Sequence, residues 1–348
     1  MDTNCPTTKL LTALTATLFS LGAAPAEALY STVYRYDSSI YYFWYPTLSQ
    51  PLYVDLVGHG LNGRSFNGKL LDGHSVVAVR LDGVQLPSGQ QKDLTLVGTV
   101  FGIDHGQDKD QGKNLAKLSK NQVVGAPGIV FHATLDDGDD VLLRVESVET
   151  SEAGPQAYLR YVVTYASESG WMPLCGGDAA GNPGRAVPLN GRWNYQEGVS
   201  GGGDFLADDD IFTFACEGHV LAKCVDMGYP PWAQGKLCDA NRKNCVSSTL
   251  APWHQACTRL MRADFCGDGT SWTQDGTMVS VHDGIGIRAD QDSWSLEAEW
   301  DENGARCAAR DRINANLDPP CMAALNLPTC GDPLNMTTGT RLVSEVPL

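Results

Sequence analysis

The stretch GIVFHATLDDGDDVLLRVESV, residues 128–148, places two strand-like runs, 128–135 and 141–148, on either side of Asp136-Asp137-Gly138-Asp139-Asp140. Asp-Gly tolerates the positive φ angles of a tight hairpin turn, so the stretch reads as two antiparallel strands. The carboxylates of that turn also offer oxygen ligands to calcium, but a solvated turn is the preferred reading. Flanking the hairpin, the segments 51–57, 76–81, 94–100 and 157–165 are similar strand-like runs punctuated by Gly, Asp and Asn. Leu61, Phe66, Leu71, Val76, Leu81 and Leu86 recur every five residues. That spacing partly resembles a pentapeptide-type β-solenoid, but the run is too short to bury a core alone. It reads as a β-rich lead-in over 61–86 that carries no chemistry.

Cysteines divide the chain. Residues 29–165 form a β-rich region without any, whereas residues 166–348 hold Cys175, Cys216, Cys224, Cys238, Cys245, Cys257, Cys266, Cys307, Cys321 and Cys330. No pair has C-x-x-C spacing, which argues against zinc knuckles and thioredoxin-type redox pairs. An even number in an exported chain points to structural disulfides of open connectivity. Export is expected from the N-terminus: Lys9 precedes an apolar run over 10–24, and Ala26-Glu27-Ala28 fits the small-x-small cleavage rule. Residues 1–28, with Cys5, therefore read as a signal peptide, and the mature chain begins near Leu29. No later run is apolar for long enough to span a membrane, and no cysteine at the cleavage point suggests a lipid anchor. The expected destination is the periplasm, the cell envelope or the medium.

In the second region, 220–227 and 250–263 are predicted helices. The latter takes Ser248 or Thr249 as its N-cap, closes near Gly267, and turns Trp253, Cys257, Leu260 and Met261 to one face. Segments 276–282 and 293–300 read as strands, and Cys307 and Cys321 are expected in short helical segments. The fold class is a β-dominated α+β protein: antiparallel strands, a few short helices and a disulfide-stabilised C-terminal region. With 41 acidic and 25 basic residues the net charge is −16, which disfavours nucleic acid and anionic membranes but leaves cations as possible ligands.

Candidate chemistry is sparse. Gly198-Val199-Ser200-Gly201-Gly202 matches G-x-S-x-G, yet it lacks the strand before it and the helix after it that expose a nucleophile, so it reads as a glycine-rich loop. His254 and Cys257 stand three apart on a helix and could meet as a thiol pair, but an oxidised Cys257 removes the nucleophile. Asp264, Asp268, Asp275 and Asp283 follow that helix. They suit Ca²⁺ or acid/base work, although their spacing is not that of an EF-hand. Arg259 and Arg262 lie near enough to make Asp264 part of an ion pair instead. His59, His105, His132 and His219 lack metal-ligand spacing. Tyr41, Tyr42, Phe43, Trp44 and Tyr45 fit a carbohydrate-stacking platform and core packing equally well.

The stretches WMPLCG (171–176), FTFAC (212–216), KC (223–224), GYPPW (228–232) and HQACTRLMRADFCGDG (254–269), followed by Thr273, Asp275-Gly276-Thr277 and Asp283, resemble the bacterial ADYC domain family. Phe265 stands where the motif name has Tyr, which removes any role for a phenol hydroxyl and leaves packing intact. The resemblance implies an exported, cysteine-rich protein and brings no catalytic residue, substrate or cofactor with it.

The expected function is a non-catalytic extracellular or envelope module, binding or structural, with a protein or glycan partner and no cofactor; calcium is the one weak candidate. The alternative is a secreted hydrolase built on His254, Asp264, Asp268 and Asp283, with a secreted toxin or effector a more distant third. An enzyme requires His254 and at least one of those aspartates to converge in a pocket.

Overall fold

The computed structural model describes residues 53–55, 70–71, 73–103, 127–151, 158–178, 180–238, 245–288, 294–312, 319, 321–322, 326–331 and 338–347. The signal-peptide segment, Tyr41 to Tyr45, Leu61, Phe66, His59 and His105 lie outside them. The hairpin expected around Asp136 to Asp140 is present: Val130–Leu135 pairs antiparallel with Asp140–Ser151. Gly138 takes φ 95° in the turn.

Six antiparallel strands close into a barrel in the order His74–Arg80, Ile211–Cys216, Arg185–Asn190, Tyr158–Ser167, Asp140–Ser151, Val130–Leu135 and back to His74–Arg80. The ring is closed by Val76, Ala78 and Val79 opposite Leu135, Thr134 and Ala133. Closure removes the exposed edges that an open sheet would have to protect. Phe131, Tyr161, Phe212 and Phe214 fill the interior. Phe101 joins them from a hairpin of Leu94–Val97 and Val100–Ile103, its ring 5.0 Å from Phe131 and 5.1 Å from Phe212. The run expected as one strand over 94–100 is thus two strands, because Gly98 adopts φ 59° and turns the chain. The five-residue periodicity sets Leu71, Val76 and Leu81 in the core, but the described part of it runs as antiparallel strands and not as a stacked coil.

The outer faces of Arg185–Asn190 and Ile211–Cys216 are covered as well. Val187, Leu189 and Ala215 pack against Leu221, Ala222 and Val225 of helix α1, Val220–Asp226. Burial on both faces is why FTFAC reads as a continuous apolar run without alternation. A five-stranded antiparallel sheet follows in the order Tyr53–Asp55, Met278–Asp283, Leu342–Val346, Ser295–Asp301, Gly304–Ala308. Helix α2, Ala251–Arg262, shares a core with this sheet through Leu260, Met261, Val281, Ala298 and Trp300.

Disulfides join Cys175 to Cys216, Cys224 to Cys257, Cys266 to Cys321, and Cys307 to Cys330. The backbone register sets Cys238 opposite Cys245 in the Gln234–Cys238 and Cys245–Thr249 hairpin. Three local expectations need correction. Cys307 lies in the Gly304–Ala308 strand, because that segment pairs with Ser295–Asp301. Leu250 occupies the N-cap of α2 without a side-chain cap, while Thr249 Oγ1 only accepts the Ala251 N–H at 3.4 Å. The helix closes at Ala263 and not near Gly267, because the residues that follow Ala263 are anchored by tertiary contacts. Among the described residues no helix is long and apolar enough to cross a membrane.

Candidate functional site

The end of α2 concentrates the motif chemistry. Ala263 takes the left-handed conformation at φ 51°, and the Asp264 N–H donates back to the Arg259 carbonyl at 2.9 Å, a Schellman-type closure. A non-glycine residue there costs about 1–2 kcal/mol, and the contacts of the next three residues offset it. Asp264 is fully buried and ion-paired with Arg259, and it accepts the N–H groups of Asp268 at 3.1 Å and Gly269 at 3.0 Å. Burial raises its pKa, with Arg259 pulling against the rise. Phe265 stacks tilted on Trp300 at 5.1 Å, so a ring suffices at this position, and Cys266 is held by Cys321.

Arginines extend this clasp to the glycine-rich loop. Arg259 donates to the Gly202 carbonyl at 2.6 Å and also pairs with Asp204. Arg262 pairs with Glu197 at 2.6 Å and donates to the Gly269 carbonyl. The loop glycines are required by close approach of two backbones: a Cβ on Gly202 would collide with the Asp268 carbonyl oxygen, and one on Gly269 with the Gln196 carbonyl oxygen. The G-x-S-x-G match is therefore a turn gripped from α2, linking Arg192–Trp193 to Phe205–Leu206.

Asp268 accepts the Thr270 N–H at 2.9 Å, a local turn contact. Asp283, fully buried, accepts from the N–H groups of Ile285, Gly286, Ile287 and Arg288 and from the Tyr229 hydroxyl, all within 3.2 Å. Asp136 and Asp137 of the hairpin turn face the two ring nitrogens of His74, at 2.8 and 3.3 Å.

His254 lies elsewhere, on a pocket of about 140 Å³ lined by Gly98, Asn190, Trp193, Phe205, Pro231, Trp232, Ala251 and Gln255 as well. Asp264, Asp268 and Asp283 are not among the lining residues. Trp193 and Phe205 stand opposite each other in the short ladder, their rings 5.0 Å apart, and Trp193 lies 5.6 Å from the His254 ring. His254 is 1% exposed, and its Nε2 lies 3.1 Å from the Leu221 carbonyl. Burial lowers its pKa to about 4, so the ring is neutral at physiological pH. A carbonyl can only accept, so Nε2 carries the proton and Nδ1 is left as an acceptor. Cys257, three residues on, is oxidised with Cys224, and the thiol pair does not exist.

The ADYC domain family matches residues 124–314, more than half of the chain. The chain belongs to the ADYC domain family. No curated protein and no solved structure matches it. In this ADYC domain the motif letters, here Ala263-Asp264-Phe265-Cys266, serve the structure: a helix stop, a buried carboxylate that gathers loops, a ring on Trp300 and a disulfide. The pocket aromatics are hard to find in the sequence because they converge from separate segments. The usable signal is the pairing of Trp193 with Phe205 across the glycine-rich loop, which emerges once that loop is read as a turn between two strands.

Proposed function

We propose that this ADYC domain protein is an exported, non-catalytic binding module and that the pocket beside His254 is its ligand seat. Export is supported by the signal-peptide pattern over residues 9–28 and by the disulfides, which persist in oxidising compartments. The observation that carries the binding reading is the lining itself. Among the described residues it contains three large aromatic rings and no carboxylate, amine, hydroxyl or thiol, so none of these residues supplies a nucleophile or an acid/base pair. Its volume of about 140 Å³ matches one compact group, since an apolar cavity of about 150 Å³ takes up benzene.

Saturation-transfer NMR on the oxidised protein with methyl pyranosides, benzyl alcohol and choline tests this reading. At least one probe should receive magnetisation, should lose it in Trp232→Ala and Phe205→Ala, and should be recovered chemically unchanged. Silence from the whole panel would remove the pocket as the seat. Hydrolysis of a probe that His254→Gln abolishes would restore the hydrolase alternative.

A further inference from the structure

We infer that the group seated in this pocket is an alkylated ammonium, of the choline or methylated-amine type; the inference rests on the pocket being the ligand seat. Its walls are the rings of Trp193, Phe205 and Trp232, whose negative π faces attract cations. Among the described lining residues, the side-chain amides of Asn190 and Gln255 and the Trp193 indole each have an N–H engaged, which leaves the Trp232 indole N–H as the donor without such a partner. Asn190 Nδ2 donates to the Leu96 carbonyl at 3.1 Å, Trp193 Nε1 to Gln255 Oε1 at 2.9 Å, and Gln255 Nε2 to the Gly203 carbonyl at 2.9 Å. A carboxylate or phosphate would therefore find few donors. His254, also in the lining, spends its one N–H on the Leu221 carbonyl and keeps Nδ1 as an acceptor, a nitrogen suited to the polarised C–H groups or the residual N–H of an alkylammonium and not to an anion.

Charge and competition agree with this assignment. The chain carries a net −16, and the exposed carboxylates Asp208, Asp209 and Asp210 follow Phe205 and Leu206 closely in sequence. A net negative field of this kind concentrates cations and disfavours anions around the protein. The described guanidinium-to-ring contacts lie on Trp171, Tyr158, Trp300 and Trp253, so these arginines do not occupy the pocket rings. A trimethylammonium head is close to benzene in bulk and fits the cavity of about 140 Å³.

Titration calorimetry of the oxidised mature protein, with tryptophan fluorescence in parallel, tests the assignment. The probes are choline, tetramethylammonium, the uncharged choline isostere in which a quaternary carbon replaces nitrogen, and benzyl alcohol. Choline should bind about tenfold more tightly than its isostere, a difference of about 1.4 kcal/mol. Trp232→Ala should abolish that preference and Trp232→Phe should restore part of it. If the isostere equals choline, or if benzyl alcohol binds while both cations fail, the ammonium assignment falls and the pocket remains the ligand seat. If no probe binds, both fall.

Discussion

A histidine that is 1% exposed, with Nε2 against the Leu221 carbonyl, cannot recover by one hydrogen bond the solvation it would lose on taking up a proton. Its folded-state pKa of about 4 lies below the ordinary value of 6.5 expected in the unfolded chain. Between those values the unfolded chain binds a proton that the folded chain refuses. The contribution of His254 to stability is therefore complete above about pH 6.5 and declines as the pH falls towards 4, by a total on the order of 3 kcal/mol. Buried carboxylates with raised pKa values, Asp226 and Asp283 among them, push in the opposite direction on acidification, so a comparison with a variant is needed. His254→Gln keeps an amide donor for the Leu221 carbonyl and does not titrate. Urea midpoints measured from pH 7 to pH 4 should converge, with the native protein losing roughly 3 kcal/mol more than the variant. Parallel curves would show that His254 is not buried neutral.

Within helix α2 the motif works as a unit, and Arg259 is its centre. The guanidinium is 1% exposed and serves Asp264, Asp204 and the carbonyls of Gly202 and Glu302. Arg259→Met would take the ion-pair partner away from the buried Asp264, at a cost of about 3–5 kcal/mol. Arg259→Lys should recover less than half of the loss, because an ammonium cannot span partners arranged for a planar fork. Equal denaturant midpoints for all three proteins would show that the clasp is dispensable. The Arg259–Asp264 pair is legible in sequence, since five residues across a helix end bring the two together. The stop at Ala263 is not, because its left-handed turn is stabilised by tertiary contacts of Asp264, whereas Gly267 is needed for a different reason, since a Cβ there would collide with the Asn303 carbonyl oxygen. Strand periodicity and the Asp-Gly turn point to the hairpin directly. The pocket stays hidden because Gly98, Asn190, Trp193, Phe205, Trp232 and His254 meet only after the barrel, the glycine-rich turn and both helices have assembled.

The family match over 124–314 is smaller than the unit that closes. Five barrel strands fall inside it, but His74–Arg80, which bonds to both Ile211–Cys216 and Val130–Leu135, falls before it. Phe101, packed among the barrel rings, is also excluded. After the match comes Leu342–Val346, the strand between Met278–Asp283 and Ser295–Asp301, which carries Ser344 to hydrogen bonds with the buried Trp300 and Glu297. A fragment limited to residues 124–314 would therefore expose two barrel edges, split the second sheet, and leave Cys266 and Cys307 without Cys321 and Cys330. Open edges of this kind template aggregation, and each lost disulfide removes roughly 2–4 kcal/mol. Against a net stability of about 5–15 kcal/mol for a folded protein, such losses are decisive. The fragment should aggregate or unfold without a cooperative transition by near-ultraviolet circular dichroism and size exclusion, whereas the chain from residue 29 should melt cooperatively. A cooperative transition in the fragment would show that the matched segment folds without His74–Arg80 and Leu342–Val346, and that neither strand is needed to hold the rest together.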